Sequence, residues 1–458
     1  ICKLSSTVSL HVYFPAMVLS HLRFLILLIT LLPRASLSEN LSHANAAAAG
    51  PDLRNRPFVV VWNMPTANCH KRHNVHLDLQ DFGIVENQRQ RFQGQNMTIF
   101  YRNHLGNYPY ISHDGREVNG GIPQLGDLAS HLSLVEVQLD VLLRPGFSGV
   151  GVIDWEEWLP LWENNFGSKM EYRRLSKQLV RQERLDLSEQ DVKLLAQQEF
   201  EESARMFMEE TLRLVVRRRP GGFWGFYGFP SCYNKNKRKR GRCHSGTKQK
   251  NDRLSWLWAQ STALYPSIYL PQRLAGSTDA ALMIRHRLLE ALRVALTWRH
   301  GNSNNQAIPV LPYARLAFTH TLNFLNKVAT DLEHTIGESV SLGAAGVVLW
   351  GEMKFAKSKK QCVLLRDYIH TVLGPFIQTL RAGASRCSLQ LCYSHGRCAR
   401  RRPNSGRSLS SAPVSVSHKD TDSGSSKYFQ QHFRCRCYSG WTGTWCQRKM
   451  VGRGQDKS

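Results

Sequence analysis

The chain has 458 residues, 42% hydrophobic, 10% aromatic and 21% charged. That is enough apolar mass for two or three domains, or for one barrel with an appendage, and it excludes a chain that is disordered, collagen-like or coiled-coil throughout. Sixty Lys and Arg against 35 Asp and Glu give a formal charge of +25, a field that draws polyanions; charge alone leaves nucleic acid, an acidic membrane face and an anionic polysaccharide open, so the compartment has to choose among them.

In chain order, Met17 and Arg23 precede an apolar run over 24–32, and Pro33, Ala35 and Ser36 follow it. This reads as an upstream extension and secretory signal peptide over 1–38. The run is far shorter than the roughly 20 residues that cross a bilayer, so no transmembrane span is expected. Residues 39–55 read as a polar, Ala-rich linker, and Asn40 and Asn96 each open a glycosylation triplet.

From 56 to 382 short apolar runs alternate with long amphipathic ones. The runs 58–62, 97–101, 149–154, 223–227, 266–270, 308–318 and 346–350 are apolar on consecutive positions, the pattern of parallel strands covered on both faces. Helical periodicity fills 191–216, 280–297 and 330–342. The alternation predicts an α/β fold, a distorted TIM-like barrel with about seven parallel strands. An open doubly wound sheet is the alternative, and the lack of a Gly-rich phosphate loop after the first run counts against it.

Such a barrel carries its active site at the carboxyl ends of its strands. The third run ends with Asp154 and Glu156 two residues apart, flanked by Trp155 and Trp158. On a strand, i and i+2 share a face, so the two carboxyls are expected to crowd one another. Crowding and an apolar setting both raise a carboxyl pKa, which is what a general acid needs. The competing reading is an exposed acidic loop. Aromatic residues close several other runs, among them Tyr227, Tyr269 and Trp350; they offer flat walls for a sugar ring or serve as ordinary core.

Of eleven cysteines, ten remain once Cys2 is set aside with the leader, and six fall within 383–450. An even number in a secreted chain points to five disulfides and to a stapled C-terminal module. A zinc cluster is the competing reading, and the spacings do not form paired C-x-x-C knuckles. Six of the eight residues 235–242 are basic, while 403–427 is Ser-rich and apolar-poor, which reads as a disordered insertion ahead of a short tail at 451–458.

Val152-Ile-Asp-Trp-Glu-Glu-Trp, Trp224-Gly-Phe-Tyr-Gly-Phe-Pro with Cys232-Tyr-Asn, Leu264-Tyr-Pro-Ser-Ile-Tyr, and Gly343-Ala-Ala-Gly-Val-Val-Leu-Trp-Gly resemble the vertebrate hyaluronidases, glycoside hydrolase family 56. The similarity runs from about Arg56 to Arg448. The resemblance implies a distorted barrel followed by an EGF-like module, and hydrolysis of β-1,4 bonds in hyaluronan, and more slowly in chondroitin, without metal or other cofactor. It implies Glu156 as proton donor and Asp154 as its hydrogen-bonded partner. Tyr227 is then the holder of the substrate acetamido group, whose own oxygen attacks the anomeric carbon, and Tyr101, Tyr269 and Trp350 line the cleft. It also implies the bridges Cys69–Cys362, Cys232–Cys243, Cys387–Cys398, Cys392–Cys435 and Cys437–Cys446. The expected product is a secreted or lysosomal monomer that binds hyaluronan and no nucleic acid. The chain departs from the family pattern at Leu159, where Arg is common, and at Phe318-Thr319, where a Tyr and an acidic residue are common. These departures leave two further readings: a weak or inactive glycosaminoglycan-binding matrix protein, and a chondroitin-preferring hydrolase.

Overall fold

The computed structural model describes residues 54–234, 241–298, 307–325, 330–412 and 423–450. The signal peptide, Asn40, most of the linker, the basic residues 235–240 and the tail lie outside the described residues. Within the unit Gly50–Ser458, parallel strands form two three-stranded sheets. One is β2 (Met97–Tyr101), β3 (Val150–Asp154) and β4 (Phe223–Phe226), with β3 in the middle. The other is β1 (Val59–Asn63) and β5 (Tyr313–Arg315) on either side of β6 (Gly346–Trp350).

Single parallel pairs join the two sheets: Tyr227 with Tyr265, Leu264 with Val310, and Ser267 with Tyr313. The result is a TIM-like ring with a weak wall. The strand expected at 266–270 does not form, and the one expected at 308–318 shrinks to β5. Pro266, Pro309 and Pro312 occupy this wall, and proline has no N–H to give to a ladder. The pairing that survives includes the proline carbonyls as acceptors, Pro266 O from Tyr313 N and Pro309 O from Leu264 N, each at 2.9 Å.

Alternation along the strands produces two buried layers. Val59, Val61, Ile99, Val150, Val152 and Val348 fill the interior of the ring, whereas Val60, Trp62, Phe100, Ile153, Trp224 and Leu349 pack outward against the helices. Every one of these side chains is buried, which is why the strands read as continuous apolar runs.

The covering helices start where the sequence offers a cap. Asp127 accepts from Ser130 N ahead of α1 (Leu128–Leu142), Ser188 from Asp191 N ahead of α2 (Glu189–Arg218), and Ser277 from Ala280 N ahead of α3 (Thr278–Thr297). The helix expected at 330–342 forms over 331–341, with a π-helical stretch at Glu333–Gly337 running into Glu338–Ser341.

All five expected disulfides are present, with S–S lengths from 1.99 to 2.14 Å. The boundary placed at 383 falls inside α4 (Gly374–Cys392), which carries Cys387 and Cys392 out of the barrel into an antiparallel hairpin, β7 (Gly396–Arg400) and β8 (Phe433–Cys437). Glu338 fastens this end to the barrel, meeting Arg285 at 2.6 Å and Arg400 at 3.0 Å with all three side chains buried.

The described parts of the expected disordered insertion are ordered. Leu409 and Ala412 are buried, and its last residues open the helix Ser423–His432, whose core residue Phe429 lies two positions beyond the insertion. A few apolar residues at helical spacing suffice to dock an otherwise polar segment.

Candidate active site

Interior parity places Asp154 at the mouth of the ring. The last register pair of β3 is Tyr101 with Asp154, so the strand ends there and Glu156 lies on the turn beyond it. The expectation that the two acids share one strand face is therefore corrected: only Asp154 belongs to the strand. Trp155 between them is buried and stacks on Tyr108 at 4.5 Å, and this anchor fixes the turn.

Two adjoining pockets open at this mouth, and Glu156 lines both. Tyr101, Arg102, His104 and Asp154 belong to one; Leu159, Lys169, Tyr227, Ser267 and Arg287 belong to the other. Glu156 thus divides a groove with acceptor surfaces on each side.

Burial pushes the Asp154 carboxyl well above the ordinary carboxylate range, and Glu156 adds to the rise. Asp154 Oδ1 is buried with no hydrogen-bond partner. Glu156 has an exposed edge but is also raised, by burial first and then by Glu157, with the Lys169 ammonium opposing. Two crowded carboxyls resist simultaneous ionisation, so the pair keeps a proton to higher pH than either carboxyl would alone.

Tyr227 follows β4 directly, its amide donating to Ile153 O at 2.9 Å. Its hydroxyl is hydrogen-bonded to Ser267 and Tyr269, and burial raises its pKa. The ring meets Tyr313 edge-on at 5.1 Å. Tyr269 stacks on Trp350 at 5.9 Å, and Trp350 Nε1 donates to Tyr101 OH at 3.2 Å. Tyr101, pushed up to about 12 by burial, remains a neutral donor. The four aromatic residues named from sequence therefore crown the inner layer of the ring.

Several polar residues of the site had gone unrecognised. Lys169 donates to the carbonyl of Glu156, and to that of Glu157 at 3.2 Å. Its ammonium is pulled down by burial, with both glutamates opposing. Because Lys169 and Leu159 line the same pocket, a cation stands beside the acid pair even without an arginine at 159. Arg287 is buried, with Nη1 bonded to Ser267 O at 2.7 Å and Nε to Asn234 at 2.8 Å, and burial lowers it to about 10. Arg315 lies 5.2 Å over Trp350 and pairs with Glu352 at 3.1 Å. Lys169 has no sequence signal, being thirteen residues and a turn away from Glu156. Arg287 had one, an arginine amid the apolar residues of α3.

Thr319 is not among the groove-lining residues; its amide and hydroxyl are both bonded to Leu270 O, at 2.9 and 3.1 Å. Asn96 is half-buried and its Nδ2 donates to Glu86 O at 2.7 Å, so that amide is engaged within the fold. Among the described residues no cluster of three or more His, Cys, Asp or Glu is arranged to hold a metal, and no helix is long and apolar enough to cross a membrane.

A protein-family model described as Hyaluronidase matches residues 47–450. Human Hyaluronidase-3 is 44% identical over 406 residues, covering 88% of this chain and 93% of its own length. Human Hyaluronidase-1 is 42% identical over 437 residues, covering 92% and 99%. The crystal structure of bee venom hyaluronidase in complex with a hyaluronic acid tetramer superposes with a TM-score of 0.65 at 34% identity, covering 70% of this chain and 98% of the bee chain.

Proposed function

The chain belongs to the hyaluronidase family, and we propose that it is a glycoside hydrolase that cleaves hyaluronan within the chain, with Glu156 as its proton donor. The observation that carries this reading is the position of Glu156 between two adjoining pockets, both of which it lines, beside a second raised carboxyl. A polymer laid along the groove presents its bridging oxygen to that carboxyl, with sugar rings on both sides.

In the first step Glu156 gives its proton to the leaving glycosidic oxygen as the C–O bond breaks. The substrate's own acetamido oxygen forms the new bond to the anomeric carbon from the opposite face, an exception to the two-carboxylate scheme. Asp154 supports this role by its unpaired buried oxygen, which as a carboxylate accepts the acetamido N–H and steadies the positive charge that develops on the cyclic intermediate. The Tyr227 hydroxyl, held by Ser267 and Tyr269, donates to the acetamido oxygen. A water then opens the cyclic intermediate while Glu156, now a carboxylate, takes its proton, and configuration is retained. Tyr101, Tyr269 and Trp350 support the sugar faces.

In this reading the ring is the expected seven-membered barrel with its fifth member reduced to single pairs, and 383–450 is an EGF-like module. The product is a secreted or lysosomal monomer, as five disulfides accord with an oxidising compartment. The test is incubation of purified protein with hyaluronan and, separately, with unsulfated chondroitin over a pH series. Shortened chains whose new reducing ends first appear in the original β configuration are expected. No shortening of either polymer refutes the hydrolase, and first appearance of the α anomer refutes the acetamido route; relative rates decide substrate preference.

A further inference from the structure

Between Tyr393 and Met450 the sequence has eleven Lys or Arg and two acids, Asp420 and Asp422. Arg400 is neutralised by the buried Glu338, so where a cation is only a fastener the fold supplies an anion. Among the described residues it supplies none for the other arginines of the β7–β8 hairpin, Arg397, Arg434 and Arg436. Arg397 and Arg436 are direct cross-strand partners, an arrangement of like charges that destabilises a hairpin unless an anion intervenes. Arg434, two residues along β8 from Arg436, shares its face and is exposed.

None of the three pairs with a carboxylate among the described residues. Arg397 Nε is buried without a partner, its Nη2 reaches only the carbonyl of Arg56 at 3.3 Å, and its guanidinium lies 5.2 Å over the Tyr438 ring. Arg436 is packed against Gly343, where an added Cβ would come within 3.1 Å of its Cδ and Nε. Its pKa falls to about 10, through burial first and then the charges of Arg434 and Arg397. Guanidinium groups held in place, desolvated and mutually repelling are stabilised by an external anion that accepts their fixed forks.

We propose that Arg397, Arg434 and Arg436 form a second binding site for an anionic polysaccharide, recognising its carboxylate or sulfate groups, separate from the catalytic groove. The substrate class rests on the function proposed above. Gly343 lies just ahead of β6, whose far end carries Trp350, so the site is on the opposite end of the ring from Glu156. It holds the protein on a polyanionic matrix and takes no part in bond cleavage. A tethered enzyme meets neighbouring chain at raised effective concentration.

The test uses the full chain, in four forms: wild type, Arg434→Ser, Arg434→Ser with Arg436→Ser, and the charge-retaining Arg434→Lys with Arg436→Lys. Affinity for immobilised long hyaluronan is measured across a salt series, alongside turnover of a hyaluronan hexasaccharide. The double Ser variant is expected to lose about tenfold in polymer affinity, as for loss of charge-assisted contacts, with a flatter salt dependence and unchanged hexasaccharide turnover. Arg434→Ser, at an exposed position, gives a smaller loss in the same direction and decides the matter if the double variant does not fold. The Lys pair falls between wild type and the Ser forms, because it keeps charge without the fork. Free chondroitin sulfate should displace the polymer from wild type more effectively than from the double Ser variant if sulfate is accepted, and unsulfated chondroitin should do so if carboxylate suffices. Polymer affinity unchanged in folded Arg434→Ser overturns the proposal, as does a parallel fall in hexasaccharide turnover. Failure of the wild type to shorten hyaluronan would count against the hydrolase reading alone, since binding is scored independently.

Discussion

Replacing Glu156 by Gln removes one proton and almost no volume. Among the described residues Glu156 has no side-chain hydrogen bond to lose, and its side chain is exposed, so the fold should be little affected; surface changes of this kind stay within about 0.5 kcal/mol. The sign of the pH effect follows from the raised pKa of the carboxyl. A carboxyl whose folded pKa exceeds its unfolded value contributes stability that is fully present below the unfolded pKa and is lost as pH rises through the folded pKa. Glu156→Gln should therefore melt with the wild type in acid and at an equal or higher temperature at neutral pH. Activity should fall by about 10²- to 10⁴-fold, the usual contribution of a positioned general acid, or about 3 to 5 kcal/mol of barrier. The assay is release of reducing ends from hyaluronan, with polymer binding measured in parallel. Binding should persist, because the aromatic walls and Arg287 are untouched. A variant that binds and still turns over within tenfold of wild type would show that the proton comes from elsewhere.

Tyr227→Phe keeps the ring against Tyr313 at 5.1 Å and deletes only the hydroxyl; kcat should drop roughly 10²-fold or more, as for loss of one oriented donor, with thermal stability nearly unchanged. Lys169→Met takes away the cation that opposes the rise of the Glu156 carboxyl, so the alkaline limb of the kcat profile should move to higher pH; an unmoved limb with lowered kcat would mean that Lys169 only holds the turn. Glu338→Ala strands two buried guanidiniums, Arg285 and Arg400, and should cost about 3 to 5 kcal/mol in denaturant unfolding. His131 is fully buried, 2.8 Å from Thr211 Oγ1, and burial lowers it to about 4. Its contribution, about 3 kcal/mol, is present above the unfolded pKa of about 6.5 and lost as pH falls towards 4. His131→Gln should flatten the stability profile in that window.

The sequence by itself determined the properties that depend on neighbours along the chain. Consecutive apolar residues marked β2 and β6, and the acids that end the third run marked the carboxyl end of β3, where such a barrel carries its site. Helical periodicity over 191–216 and 280–297 marked α2 and α3, because it depends only on residues one turn apart. The long motifs around Asp154, Tyr227 and Trp350 carried the family. Only the tertiary structure decided what depends on residues far apart. That β3 stops at Asp154 and leaves Glu156 on a turn follows from Trp155 docking on Tyr108. That Lys169 reaches the same turn follows from how the chain returns over the mouth of the ring. Prolines at 266, 309 and 312 thin one wall because strands are defined by partners, and ladder donors are missing there. The fate of arginines was likewise invisible in the composition: Arg400 finds Glu338, whereas Arg397 and Arg436 face each other. Charge can be counted along a chain, but its neutralisation is set by distances that folding alone establishes.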